Sequence, residues 1–558
     1  MNSEKHKNIL FNAIVWVCIA LFCFSITPRS FQNDTYYTIK IGEYITQNGI
    51  GNLTEDPFSW HDLSYTYPHW LYDFLTYQAY SVGEFFGVYV LTVGLSVTLG
   101  ILLYSTCCKI SKNNVVSAII TFCGIYMLNS FVAARAQLAT YLLFIWQIYS
   151  IESYIENKKK IHLVSLLIIP ILIANLHCAV YPFYYVLFLP YLAEYFLIWF
   201  VDFDILSRIN VYFYKLRMKL TKKEEKIIKL KEKIDREIEI KEKITNKRNL
   251  LRSKPYKIQV EKNPAIKVLA IIFLISTLAG LVTPLGETPY TYLYKTMEGN
   301  TTQNINEHQP LVLIQNNEYL ITLLIFALIL IFTDTKIKLR DLFMLAGVLY
   351  LTLTSKRQVS IFVIVCAPIL CKLIANLIAK YDPKLTKKAI DFTTNAFGTI
   401  IIVCLVLIVS LKQYKPKIGD EFVSSYDYPV EAAEWIIDNL DYENIKFYNE
   451  YNYGSYLLFK GIPVFIDSRA DLYAPEFNTK TGDEKDGKDI FSDALNIAGL
   501  GTHYEKKFEE YGISHIIAYE NAKLSMLLEK DSNYKLLYQD SRFKIFERKN
   551  AVVVNEGE

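Results

Sequence analysis

The nine cysteines of this chain form no CxxC pair, keep no regular spacing and lie mostly inside apolar runs. They read as small buried hydrophobes and point to no disulfide framework. No metal site is indicated, and no cofactor is expected. A GxGxxG or GxxxxGK loop is also missing, which weakens any nucleotide-binding reading. A net charge of only +3 on 558 residues gives no bulk attraction to a polyanion. The first apolar run is followed by "ITPRSFQ", which offers no small-residue cleavage site. That run, preceded by Lys5, His6 and Lys7, therefore reads as a membrane helix and not as a removable signal. No internal repeat relates the two halves of the chain.

What is present is apolar length. Hydrophobic residues make up 52% of the sequence, with 42 Tyr and 33 Phe. Runs near the ~20 residues needed to cross a bilayer recur through the first three quarters, "YVLTVGLSVTLGILLYSTCC" and "FGTIIIVCLVLIVSL" among them. The expectation is an α-helical polytopic membrane protein of about eleven spans, near 8–27, 84–107, 114–132, 137–154, 161–176, 179–200, 264–283, 318–333, 341–354, 359–379 and 393–411. Basic loops alternate when the N-terminus is placed in the cytoplasm. "CKISKNN", "IENKKKIH", "TDTKIKLRD" and "KYDPKLTKK" then all fall inside. This predicts a multi-pass protein of the plasma or inner membrane.

Three regions stand out from the membrane part, expected as 1–411. Residues 28–83 form a first external loop with interfacial helices. Residues 202–262 form a cytoplasmic charged helical hairpin, whose interleaved Lys and Glu suit a tether touching anionic lipid. The stretch "KLRMKLTKKEEKIIKLKEKIDREIEIKEKITNKRNLLRSK" does not suit nucleic acid, because acids are interleaved and no aromatic partners accompany its basic residues. Residues 412–558 alternate helical periodicity ("YPVEAAEWIIDNL") with short apolar strands ("IKFYN", "PVFID", "SHIIAY", "YKLLYQD", "RFKIFER"). They predict a small extracytoplasmic α/β domain.

The topology gathers ionisable residues on one face. Asp34, Asp56, His69, Asp73, Arg135, His177, Glu287, Glu307, His308 and Arg357 all fall at or near the outer surface. Charges kept at membrane depth usually face a cavity and pair with each other or with a substrate. Asp34 in "NDTYYTIKIGEYI" reads either as the N-cap of an interfacial helix or as a carboxylate able to take a proton from a hydroxyl. Asp56 is its substitute. Trp70 lies with His69 and Asp73 in "HWLYD" and suits either an interfacial belt or a sugar ring. Arg135 reads as a phosphate partner or a snorkelling end residue. His177 reads as a ligand or a satisfied core imidazole. Arg357, beside Lys356, breaks the sidedness pattern, which either an anion-binding role or a misplaced short span would explain. Asp467 and Arg469 in "FIDSRADLY" suggest an ion pair that anchors the C-terminal domain.

Taken in order, "NDTYYTIKIGEYITQNG", "DPFSW…HWLYD", "ARAQL", "NLH", "TPLG…NEHQP" and "YNEYNYGSYLLFKGIPVFIDSRADLY" resemble bacterial membrane glycosyltransferases of the GT-C superfamily. The resemblance covers about residues 8–550. It implies that the first-loop carboxylate, here Asp34, is catalytic. It also implies a polyprenyl-phosphate-linked sugar as donor and a glycan or lipid acceptor outside, in cell-envelope modification. The paired acidic motif of many members is absent, since Asp34 stands between Asn33 and Thr35, and this leaves metal dependence open. The alternatives are a flippase or transporter of lipid-linked saccharide and a non-catalytic assembly protein.

Overall fold

A computed structural model describes residues 2–51, 54–202, 205–221, 223–253, 257–261, 263–299, 301–478, 487–501 and 503–549. Helices fill the apolar runs. The first six long ones are α1 (Asn2–Ile26), α2 (Asn33–Asn48), α3 (Trp70–Ser111), α4 (Asn114–Met127), α5 (Ala136–Asn157) and α6 (Lys160–Leu176). Among the described residues, Glu4–Ile26, Trp70–Ser111, Lys356–Tyr381 and Ala396–Lys417 are long and apolar enough to cross a membrane. Asn114–Met127, Lys160–Leu176, Ala265–Leu281 and Asn317–Phe332 are shorter apolar helices.

Two helices depart from the expected bounds for local reasons. α3 begins at Trp70, well before position 84, and breaks at Gly83 and Glu84, where φ turns to −144° and 49°. The break lets the segment from Trp70 pack against α2 before the apolar part begins. The run expected at 179–200 divides into Tyr181–Val186 and Leu189–Asp202. Pro182 and Pro190 each sit in the first turn of one piece, where a missing N–H costs no helical bond.

The membrane part is centred on α3, α5 and the helix Val359–Tyr381, with Leu103, Phe144, Ile148, Phe362 and Leu373 fully buried among them. α5 runs from the Arg135 end to Glu152, about 24 Å away at 1.5 Å per residue. At that far end Arg340 is buried beside Glu152, Glu194 and Glu261, at 3.3, 3.7 and 3.6 Å. A short parallel pair lies close by in sequence, β1 (Ile258–Gln259) with β2 (Ile337–Lys338). Between Glu194 and Glu261 the chain forms two helices that pack on each other, Ile205–Leu220 and Glu224–Ser253.

The C-terminal segment carries a four-stranded sheet in the order β3 (Phe447–Tyr448), β4 (His515–Tyr519), β6 (Phe543–Arg548), β5 (Tyr534–Gln539). β3 and β4 are parallel, and the other pairs are antiparallel. "PVFID" does not join this sheet. Val464 instead pairs with the loop between α2 and α3, the first loop, its N–H donating to the Phe58 carbonyl at 3.2 Å. The first loop and the C-terminal segment therefore share one hydrophobic core. Within it the Tyr36 ring of α2 meets Tyr428 and Tyr456 edge-on at 4.8 and 5.2 Å. Gly42 lets α2 lie against α3, since a Cβ there would strike the Asp73 carbonyl and fall 2.6 Å from Tyr77 Cβ.

Candidate functional site

Asp34 lies in the first turn of α2 but does not cap it. The N-cap is Gln32, which makes no side-chain capping bond. A carboxylate in a first turn is favoured by the positive end of the helix dipole, and Asp34 also has a specific partner. Arg135, immediately before α5, holds its Nε 2.8 Å from Asp34 Oδ2. Its Nη1 donates to Glu307 Oε1 at 3.1 Å. One guanidinium thus bridges two carboxylates from segments far apart in sequence. Burial opposes the charge on Arg135, but Asp34 and Glu307 outweigh it and hold the group above its ordinary value. Burial likewise raises the Glu307 carboxyl, and Arg135 and Arg357 bring it below the usual range.

Arg135 and Glu307 line a cavity of about 470 Å³ together with Arg357, Lys356, Gln137, Tyr141 and Glu318. Arg357 approaches His308, its Nη1 lying 3.4 Å from Nε2. Burial and the neighbouring guanidinium push His308 down to about 4, so it is neutral at pH 7. Lys356 is tied to Asn306, its Nζ donating to Oδ1 at 2.8 Å. A smaller recess of about 40 Å³ continues past Gln137, Tyr141 and Arg357 to His177. His177 is buried, and its Nδ1 lies 2.8 Å from Thr140 Oγ1. Burial, then the charges of Arg357 and His69, keep this imidazole neutral.

His69 and Asp73 stand one layer behind. The His69 Nδ1 lies 2.7 Å from Asp73 Oδ1, and its Nε2 lies 3.3 Å from the Tyr37 hydroxyl. Burial lowers the His69 value, but the Asp73 and Asp34 carboxylates raise it more, so His69 titrates above its ordinary range. The rings of His69 and His177 are 6.4 Å apart, which links this layer to the recess. Trp70 is turned to a structural partner, its Nε1 donating to Asn175 Oδ1 at 3.1 Å.

Asp56 is placed differently. It is buried, and its Oδ1 accepts from Arg469 Nη1 at 2.7 Å. Arg469 also forks onto Asp467, with bonds of 2.9 and 2.6 Å, and packs over the Tyr65 ring. The ion pair expected from "FIDSRADLY" is thus a triad that joins the C-terminal segment to the first loop. Asp56 has no accessible face for a proton-transfer role, because its side chain is fully buried and also accepts from the Phe58 and Ser59 N–H groups.

The structure thus brings Asp34, Arg135, Glu307, His308 and Arg357 together, sets His69, Asp73 and His177 close behind, and leaves Asp56 and Trp70 apart. Sequence reasoning missed Gln137, Tyr141, Glu318 and Asp471. Glu318 carried a usable signal, an acid at the edge of the run "NNEYLITLLIF". Asp471 carried none, since its partners lie at least 170 positions earlier. Its half-buried carboxylate accepts from the Tyr292, Thr296 and Thr301 hydroxyls at 2.9, 3.4 and 3.4 Å. It so holds the helix Thr288–Glu298, which leads to Glu307 and His308. Asp471→Ala leaves three hydroxyls without their acceptor and is expected to cost about 1–3 kcal/mol. Thermal unfolding of the purified protein measures this, and an unchanged midpoint would refute the positioning role.

Among the described residues no three His, Cys, Asp or Glu side chains converge to hold a metal. The Arg135 guanidinium itself fills the space between Asp34 and Glu307. The donor set therefore does not fit a resident divalent cation bridging the two carboxylates.

No protein-family model matches the chain, and no curated protein matches it either. Solved structures do. The chain is 12% identical to the archaeal oligosaccharyltransferase AglB from Archaeoglobus fulgidus in complex with an inhibitory peptide and a dolichol-phosphate, with a TM-score of 0.53. That match covers 95% of this chain and 74% of the other. The apo form of the A. fulgidus oligosaccharyltransferase matches at 12% identity and TM-score 0.53, over 91% and 69% of the two chains. The same enzyme tethered to an acceptor peptide matches at 13% and 0.50, with the same coverage.

Proposed function

We propose that this chain, which has the GT-C fold of the archaeal oligosaccharyltransferases, is a membrane glycosyltransferase. It moves a sugar from a polyprenyl-phosphate-linked donor to an acceptor on the extracytoplasmic face. The observation that carries this reading is the Asp34–Arg135–Glu307 chain at the edge of a cavity that also bears Arg357 and Lys356. The A. fulgidus enzyme was captured with an inhibitory peptide and a dolichol-phosphate, and separately tethered to an acceptor peptide. By analogy of fold, the donor here is lipid-linked and the acceptor approaches from outside. Eleven crossings, a cytoplasmic N-terminus and an outer C-terminal domain complete the proposal.

The chemistry needs a base for the acceptor hydroxyl, cations for the departing phosphate and a site shielded from water. Asp34 is the base. Arg135 exchanges a carboxylate for phosphate when the donor binds, which frees the Asp34 oxygen that now faces the guanidinium. Arg357 supplies the second cation, and neutral His308 leaves its charge undivided. His69, gripped by Asp73, holds Tyr37 on α2, the helix that carries Asp34.

Transfer of labelled sugar from polyprenyl-phosphate donors in membranes tests the reading. A protein that moves lipid-linked saccharide across vesicles and transfers none would refute it. Arg357→Gln removes a charge-assisted phosphate contact worth about 1.5–3 kcal/mol. It is expected to raise the donor KM roughly tenfold to a hundredfold, with Asp34 still in place. A KM within twofold of native, roughly within assay error on the ~1.4 kcal/mol-per-decade scale, would remove Arg357 from the donor site.

A further inference from the structure

The helix Ile205–Leu220 lies in the segment that leaves the membrane part near the far end of α5, away from the candidate site. Its sequence contains Arg208, Lys215, Arg217 and Lys219 and no acid. It packs on the helix Glu224–Ser253 through one face. Asn210 Nδ2 donates to Glu237 Oε1 at 2.9 Å, and the Lys233 ammonium sits 5.8 Å from the Tyr214 ring centre.

The opposite face is apolar and uncovered. Ile209, Tyr212, Phe213, Leu216 and Leu220 are all exposed, Tyr212 by 65% and Leu220 by 78%. At about 100° per residue these five fall within about 60° of a single line along the helix. Arg217 and Lys219 lie about 80° to either side of that line, one on each flank. A stripe this regular is larger than the scattered surface hydrophobes of a water-soluble helix.

We infer that this helix lies in the plane of an anionic lipid leaflet, with the stripe among the acyl chains and the two flanking cations at the headgroups. Three observations favour lipid over a protein partner. The flanking charges stand where long basic side chains rise to a headgroup layer from a half-sunk helix. The absence of acids leaves nothing for anionic headgroups to repel. The preceding helix, Leu189–Asp202, exposes Phe196 and Leu197 on its own surface. The stripe thus continues apolar surface from the membrane part after a break of only two residues in the chain. The helix Glu224–Ser253, rich in both Lys and Glu, then forms the water-facing back of the pair. This inference is independent of the glycosyltransferase reading.

The test places a fluorescent amino acid at Phe213 by codon suppression in the full-length chain. The protein is reconstituted in nanodiscs of phosphatidylcholine with or without phosphatidylglycerol. The expected result is blue-shifted emission that brominated acyl chains quench, more strongly with phosphatidylglycerol. The same probe at Val211, on the face toward the partner helix, stays unquenched and reports that the pair is folded. Arg217→Gln with Lys219→Gln is expected to lower the inserted-to-free ratio roughly 25-fold, about fivefold per charge. Water-like emission at Phe213 in both discs would overturn the inference. So would blue-shifted emission that bromine does not quench, because a second copy or another protein would then cover the stripe. Equal quenching in the two discs would overturn the role given to the anionic headgroups.

Discussion

Asp34→Asn is expected to reduce sugar transfer by roughly 10²- to 10⁴-fold, the usual contribution of a positioned general base. The substitution is nearly isosteric and keeps the first turn of α2, so the site retains its shape. An amide cannot take the acceptor's proton, and the loss therefore falls on kcat. The donor KM stays close to native, because Arg135 and Arg357 still face the phosphate. Stability changes little. The Asp34–Arg135 pair is partly exposed, with side chains 18% and 23% accessible, and pairs of this kind contribute about 1 kcal/mol or less. Steady-state transfer by the native protein and the Asp34→Asn variant in the same membranes decides the matter. Near-native turnover would remove Asp34 from the chemistry. A large rise in KM at unchanged kcat would make it a binding group instead.

Arg469→Met is expected to destabilise the region where the C-terminal segment meets the first loop by about 3–5 kcal/mol. Arg469 is buried between two carboxylates that are themselves buried, Asp56 and Asp467. Removing the guanidinium leaves both acids without their cation between the Tyr65 and Phe58 rings, with the Tyr473 hydroxyl still donating to Asp467. The cost is the desolvation of uncompensated charge and not the loss of packing, since Met fills much of the same volume. A second substitution separates the two. Asp56→Asn added to Arg469→Met removes one stranded charge and is expected to restore part of the stability, a coupling that a double-mutant cycle reads directly. Thermal unfolding and protease sensitivity of the C-terminal segment are the measurements. An Arg469→Met protein with the native midpoint would show that the triad does not join the segment to the first loop.

These two residues also show how far the sequence carries. Asp34 was legible because a lone carboxylate just past an apolar run, in a Tyr- and Thr-rich stretch, is costly to keep near lipid without a use. Arg135, Glu307, His308 and Arg357 were legible for the same reason. That Arg135, Glu307 and Arg357 line one cavity was only an expectation from sidedness. Asp56 looked like an equal of Asp34 by that criterion, since both are acids in the same loop. Nothing local revealed that its partner lies 413 positions away on Arg469. The strand expected at "PVFID" failed in a related way. Its apolar residues are buried, but they pair with the first loop and not with the sheet, a choice that periodicity cannot express.

By itself the sequence determined the apolar helices and singled out the ionisable residues at their ends. Both follow from local free energy, because apolar length and the cost of a charge near lipid are properties of short segments. Only the tertiary structure decided which charges meet. Arg135 chose Asp34 and Glu307, Arg469 took Asp56 out of reach, and Asp471 fixed the helix before Glu307. Those pairings depend on how α2, the loop after it and the C-terminal segment close over one shared core. Contacts of that kind are set by packing between distant segments, and no pattern within any one of them encodes the partner.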